Sequence, residues 1–99
     1  MKEEIQEDIY YPAARNFLRR YNITASEHIV DIIVSVMRTR DNVGWQGGDF
    51  VQSIVSNNLT QSVLRADNDC INHLKTFVLA KQNCYPKEEL AFHMVPETV

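Results

Sequence analysis

The sequence predicts an all-α fold, a compact bundle of four to five helices, and three observations support this class. Apolar residues recur at intervals of three and four along the chain, which is the spacing of one helix face. Residues that favour helix N-caps precede these segments. Glycine and proline number three each among 99 residues, fewer than turn-rich β folds require. We therefore predict a single helical domain over residues 1–86 and a loosely ordered C-terminal tail over residues 87–99.

In the N-terminal half we predict a short helical stretch within the first nine residues. Two main helices follow it, over residues 12–21 and 25–39. Pro12 fits the first turn of the first helix, where its missing N–H is not needed. The run Thr24-Ala25-Ser26-Glu27 has the pattern of a capping box for the second. The second helix carries apolar residues at helical spacing, namely Ile29, Ile32, Ile33, Val36 and Met37. Its β-branched residues make a strand the alternative, and its length and cap favour the helix.

In the C-terminal half we predict three further helices, over residues 50–57, 59–66 and 68–83. Asp49 is expected to cap the first, with Gln52 at the matching capping-box position. Asp67 is expected to cap the third, which Tyr85-Pro86 ends.

The apolar character of the helix over residues 25–39 also leads us to predict a homo-oligomer. Val30 and Val34 extend its apolar character beyond one face. A helix that is apolar around so much of its circumference lies either at the centre of a core or against another chain. One small core is expected to leave part of it for a second copy.

Composition excludes several classes of protein. The formal net charge is −3 and the pI is about 5.5, which makes duplex nucleic acid an unexpected partner. We expect no membrane partner, because no apolar run approaches the roughly 18 residues of a transmembrane helix. The acidic N-terminus lacks the apolar region of a signal peptide.

Metal binding and catalysis have little support in the sequence. Cys70 and His73 lie three residues apart, which is half of a zinc pattern, but Cys84 and His93 do not have the spacing of the other half. We therefore predict no metal and no cofactor, and we expect the two cysteines to be reduced thiols that do not bridge each other. No nucleophile motif is present, so we predict no catalytic residues and no enzymatic activity.

The glycine-rich loop before residue 50 is the strongest candidate for a ligand site. All three glycines lie within five residues, beside Trp45, the only tryptophan. Free N–H groups at a helix start attract phosphate, an indole stacks on a base, and Arg65 can bind phosphate through two hydrogen bonds. The predicted ligand-binding residues are therefore Trp45, Gly47, Gly48 and Arg65. The alternative is a tight connection in which Trp45 fills the core and Arg65 pairs with a nearby carboxylate.

Residues 44–86 contain four short motifs in a characteristic order: Gly47-Gly48-Asp49-Phe50, Asn57-Asn58-Leu59, Arg65-Ala66-Asp67 and Asn83-Cys84-Tyr85-Pro86. In this order and spacing the chain resembles a family of small uncharacterised proteins of tailed bacteriophages. Two positions depart from the family pattern, since Gly47-Gly48 replaces Pro-Gly and Asn58 replaces an aspartate.

The resemblance implies a phage protein that acts in the host cytoplasm. Together with the glycine loop, it suggests a non-enzymatic anti-defence protein that sequesters a phosphate-bearing cyclic nucleotide used as an immune signal. One alternative is an inhibitor that blocks a host defence protein by direct binding, as anti-CRISPR proteins do. Another is a minor virion or assembly protein.

Overall fold

In a computed structural model of the chain, the described residues are 9–44 and 46–94. Within these ranges the chain is all-helical, as predicted, and forms a compact globule with seven helices instead of four to five. The helices are α1 (Tyr10–Arg20), α2 (Glu27–Asp41), α3 (Asp49–Val55), α4 (Leu59–Arg65), α5 (Asn68–Asn72), α6 (Leu74–Asn83) and α7 (Pro86–Met94). The helical stretch predicted within residues 1–9 lies almost wholly outside the described residues.

Helix α2 is the central element of the bundle. It packs against α1, α3 and α6, while α7 packs against α1 and α4 packs against α3. Six of its apolar residues are almost completely buried: Ile29, Val30, Ile33, Val34, Val36 and Met37. Much of the apolar circumference of α2 is thus covered within one chain, and the homo-oligomer stays a prediction.

Helix α2 begins two residues later than the expected capping box implies. Ser26, not Thr24, is the N-cap, and its hydroxyl accepts a hydrogen bond from the Ile29 amide at 3.4 Å. The helix ends at Asn42, which adopts a left-handed conformation with φ of 61°. Asparagine tolerates this conformation better than most residues, which makes it a suitable helix terminator.

The long helix expected over residues 68–83 is interrupted at His73. The His73 amide bonds to the Cys70 carbonyl, three residues back. The Asp69 carbonyl, four residues back, instead faces His73 Nδ1 at 3.0 Å. Competition of this kind between a side chain and the backbone weakens a helix. The predicted cap by Asp67 is confirmed, since its carboxylate accepts from the Cys70 amide at 2.8 Å.

The segment after residue 86 is helical, in contrast to the loose tail expected from residue 87. Helix α7 runs from Pro86 to Met94 and packs on α1. The Glu89 carboxylate is 2% exposed and pairs with the Arg20 guanidinium. An ion pair between two helices leaves no hydrophobic periodicity in the sequence, so the pattern gave no indication of this contact. Residues 95–99 lie outside the described part of the chain.

Both cysteines are free and buried. Burial raises the pKa of Cys84 to about 12, so its thiol stays protonated at neutral pH and acts as a small apolar side chain. Within residues 9–44 and 46–94, no helix has both the length and the apolar character needed to cross a bilayer.

Candidate functional site

The glycine loop connects α2 to α3, and the backbone polar groups of Gly47 already have partners. The Gly47 amide donates to the Thr39 hydroxyl at 2.9 Å, and the Gly47 carbonyl accepts from Gln52 Nε2 at 2.7 Å. Gly48 is the N-cap of α3, so Asp49 is the first helical residue and not the cap that we expected. Gln52 therefore bonds to the loop backbone and does not complete a capping box. Trp45, which we predicted to bind a ligand, lies outside the described residues.

Arg65 lies at the end of α4 and reaches the start of α3. Its Nη1 donates to Asp49 Oδ2 at 3.1 Å, and its Nε donates to Gln61 Oε1 at 2.9 Å. The structure therefore brings Arg65 to the residue that follows Gly48, and the expected local carboxylate partner is Asp49. With the Gly47 amide bonded and the guanidinium paired with a carboxylate, the loop offers a phosphate fewer free donors than the sequence suggested.

A second candidate is an open groove between α3, α4 and α6, which we call the apolar groove. Its volume is about 140 Å³, close to that of a protein cavity that binds benzene. Its lining is uncharged and consists of Ser53, Ile54, Asn57, Asn58, Leu59, Ser62, Leu74 and Val78. Leu59 is 66% exposed although it is a large apolar residue.

The hydroxyl groups of the apolar groove are satisfied within the chain. Ser53 Oγ and Ser62 Oγ lie 2.9 Å apart. Ser53 also donates to the Phe50 carbonyl at 2.7 Å, and Ser62 can donate to the Asn58 carbonyl at 2.8 Å. Hydroxyl groups that are already bonded present little unmet polarity to a ligand. The groove therefore suits an apolar group better than a phosphate.

Sequence patterns did not indicate this groove. We expected Leu59, Val63 and Leu64 of α4 to point inward, but Leu64 is 70% exposed. In the structure Leu59 and Val63 are both exposed, at 66% and 44%, because α4 packs chiefly against α3. The polar residues Ser53 and Ser62, which both line the groove, are the signal that could have indicated it.

A third group of side chains could hold a metal ion. His28 in α2, Asp67 at the cap of α5 and Cys70 in α5 place one nitrogen, one oxygen and one sulfur atom within 4.8 Å of one another. Burial, followed by a hydrogen bond with Asp67, raises the pKa of Cys70 to about 11. The hydrogen bond from the Cys70 backbone lowers the pKa of Asp67, which is therefore a carboxylate at neutral pH. The expected absence of metal rested on sequence spacing, in which His28 is 42 residues from Cys70, so no local pattern connected these two potential ligands.

Comparisons of the chain with protein-family models, with curated proteins and with solved structures found no match. The resemblance to phage proteins stays a prediction that rests on the four motifs in residues 44–86.

Proposed function

We propose that this protein is a non-enzymatic binding protein that holds an apolar side chain of a partner protein in the apolar groove. The observation that carries this proposal is an uncharged groove whose serine hydroxyls are already bonded to one another and to the backbone. Its volume of about 140 Å³ suits one leucine-sized or phenyl-sized group. Such a groove matches an amphipathic helix that inserts one anchor residue.

The surroundings of the groove support a protein partner over a small ligand. Leu59 provides exposed apolar area in the groove, and Asn57 and Asn58 contribute polar residues to its lining. An apolar centre with a hydrogen-bonding rim is the usual anatomy of a protein interface. The setting that we propose for this contact is a phage-infected cell, where the partner is a host defence protein, and this part rests on the motif resemblance alone.

Site-specific photo-crosslinking at the groove tests the proposal. A photoreactive residue at position 59 is expected to capture a host polypeptide of defined mass, while the same residue at position 64 captures much less. Leu64 is a matched control because it is 70% exposed, as Leu59 nearly is, but does not line the groove. With the purified partner, Leu59→Asp is expected to weaken binding by about 2 kcal/mol or more, as for an interface hot spot, and Leu64→Asp by much less.

Two results would overturn this proposal. An adduct of twice the mass of the chain would show that the groove binds a second copy, which is the homo-oligomer of our sequence interpretation. Equal capture from positions 59 and 64, or equal affinity of the two aspartate variants, would show that the groove has no special role.

We retain sequestration of a cyclic nucleotide as a second candidate function because the fold brings Arg65 to Asp49, directly after Gly48. A phosphate could displace the exposed Asp49 carboxylate from the guanidinium and bond it in two places. Thermal denaturation with micromolar cyclic mononucleotides and cyclic dinucleotides tests this. The expected result is a stabilisation that Arg65→Ala abolishes and Leu59→Asp preserves. Stabilisation that Arg65→Ala leaves unchanged, or none at all, would reject this candidate.

A further inference from the structure

The cluster of His28, Asp67 and Cys70 joins two elements that are distant in the sequence. His28 is the second residue of α2, whereas Asp67 and Cys70 belong to the first turn of α5. His28 is 51% exposed and Asp67 62% exposed at the side chain, while Cys70 is only 4% exposed. The three side chains thus form a shallow site with a buried sulfur at its base and two exposed ligands at its edge.

The spacing of the donor atoms approaches that of a zinc site. Tetrahedral zinc with bonds of about 2.0–2.3 Å holds neighbouring donor atoms roughly 3.3–3.7 Å apart. His28 Nε2 lies 3.7 Å from Asp67 Oδ2, and all three donor atoms lie within 4.8 Å. A side-chain movement of about 1 Å, which exposed histidine and aspartate side chains readily make, would complete the geometry.

The hydrogen bonds of Asp67 prepare one of its oxygens for a metal. Oδ1 accepts from the Cys70 amide at 2.8 Å, which fixes the orientation of the carboxylate. Oδ2 is the oxygen that faces His28. A hydrogen bond to the part of a ligand that does not contact the metal is typical of metal sites, and it increases their affinity for the metal. The cap of α5 therefore also orients a metal ligand.

The chemical nature of the three donors selects the ion. Thiolate and imidazole prefer zinc and other late transition ions, whereas Mg²⁺ and Ca²⁺ require oxygen ligands. Thiolate and carboxylate together carry a charge of about −2, which a divalent ion neutralises. Three protein ligands leave one tetrahedral position for solvent.

We propose that His28, Asp67 and Cys70 form a zinc site with three protein ligands and one solvent position. None of these residues lines the apolar groove, so the zinc site is independent of the proposed function. Zinc at this position would tie the start of α2 to the start of α5 and so connect the two halves of the chain.

Zinc titration of the purified chain against a chromophoric chelator tests the proposal. The expected result is one zinc ion per chain. His28→Ala and Cys70→Ser are each expected to lower the affinity at least about tenfold. Asp67→Asn is a sharper variant, since asparagine keeps the N-cap while it removes the charged ligand, and it is also expected to weaken binding. His73→Gln is the matched control, because His73 lies near Cys70 in sequence but outside the cluster, and it is expected to keep the affinity of the original chain.

Cobalt substitution identifies the sulfur ligand without any assay of activity. The Co²⁺ form is expected to show a thiolate-to-cobalt charge-transfer band that Cys70→Ser abolishes, although Cys84 is still present in that variant. Circular dichroism of each variant establishes that the helices are retained. Absence of a one-to-one complex would overturn the proposal and leave an ordinary His28–Asp67 ion pair. A loss of affinity in His73→Gln equal to that in His28→Ala would also overturn it.

Discussion

At Gly47, packing requires the absence of a side chain. A Cβ atom at this position would lie 2.5 Å from Val51 Cγ1 and 2.6 Å from Ser35 Oγ. Both distances are shorter than van der Waals contact permits. A Cβ atom at the neighbouring Gly48 would meet no atom within 4 Å. The two glycines that the sequence presented as one ligand loop therefore have different roles, and the loop backbone at Gly47 is held against α2.

We expect Gly47→Ala to destabilise the protein by about 1–3 kcal/mol, as overpacked substitutions do. Gly48→Ala is the matched control and is expected to change stability by less than about 1 kcal/mol, because its backbone is accessible to alanine and the added methyl group has space. Urea denaturation followed by circular dichroism measures both. Equal stability of the two variants would show that α2 and α3 can separate at this contact without cost.

Asp41 is a residue whose ionisation is coupled to folding. The hydrogen bond from Arg40 is the main cause that lowers the pKa of Asp41 below 3.8, and the Tyr10 hydroxyl contributes in the same direction. A lowered pKa in the folded state means that the carboxylate stabilises the fold above its ordinary pKa. This stabilisation is lost as the pH falls through the folded-state value.

Asp41→Asn is therefore expected to be less stable than the original chain at neutral pH. The difference is expected to shrink as the pH falls below about 3.8 and to vanish once Asp41 is protonated in both the folded and the unfolded state. Denaturation midpoints of both chains across this range measure the effect. A difference that stays constant down to the acid limit would show that the charge of Asp41 has no part in it.

At the scale of elements, α2 and α6 are joined by the side chain of Arg40. Its Nη1 donates to the carbonyls of Ala80, Lys81 and Cys84 at 3.3, 3.0 and 2.8 Å. These carbonyls lie at the end of α6, where helices lack N–H partners, although the Ala80 carbonyl also accepts from the Cys84 amide at 2.9 Å. The positive charge also interacts favourably with the helix C-terminus. Arg40 thus acts as a cap supplied by another helix.

Arg40→Ala is expected to cost about 1–3 kcal/mol, because it leaves carbonyls at a helix end without a donor. Arg15→Ala is the comparison, since Arg15 pairs with Glu27 at a solvent-exposed position. Exposed ion pairs contribute little to stability, so its denaturation midpoint is expected to stay close to that of the original chain. Similar midpoints for both variants would show that water satisfies the end of α6 equally well.

For the whole molecule, the last described helix completes the fold by packing on the first. Helix α7 lies on α1, and the buried Glu89 carboxylate pairs with Arg20. Removal of one partner from a buried ion pair leaves an uncompensated charge, whereas replacement of both by apolar residues can be neutral. This contact joins residues that are 69 positions apart in the chain.

We expect Arg20→Ala to destabilise the protein by about 1–3 kcal/mol, less than for a fully buried pair, because the Arg20 side chain is 31% exposed. The double variant Arg20→Met with Glu89→Leu is expected to recover most of this loss, because no buried charge remains. Thermal denaturation gives the stabilities, and amide hydrogen exchange shows whether α7 opens separately. If the double variant were as unstable as Arg20→Ala, the pair would contribute through its hydrogen bonds and not merely balance a charge.

The sequence alone determined the helical class and the positions of most helices. Regular spacing of apolar residues along α2 and the cap at Asp67 are local signals, and both agree with the structure. Both signals depend on residues within a few turns of each other. The pairing of Arg65 with a carboxylate agrees with the alternative to its predicted ligand role, but its partner Asp49 lies 16 residues away in another helix.

Only the tertiary structure decided how the helices cover one another, and with this which sites exist. The burial of α2 within one chain, the exposure of Leu59 and the packing of α7 all depend on which helix lies against which. The same holds for the approach of His28 to Cys70. Hydrophobic periodicity shows that a helix has an apolar face, but it does not show which other helix packs against that face. The contacts between distant residues carry that information, and they form only when the chain folds.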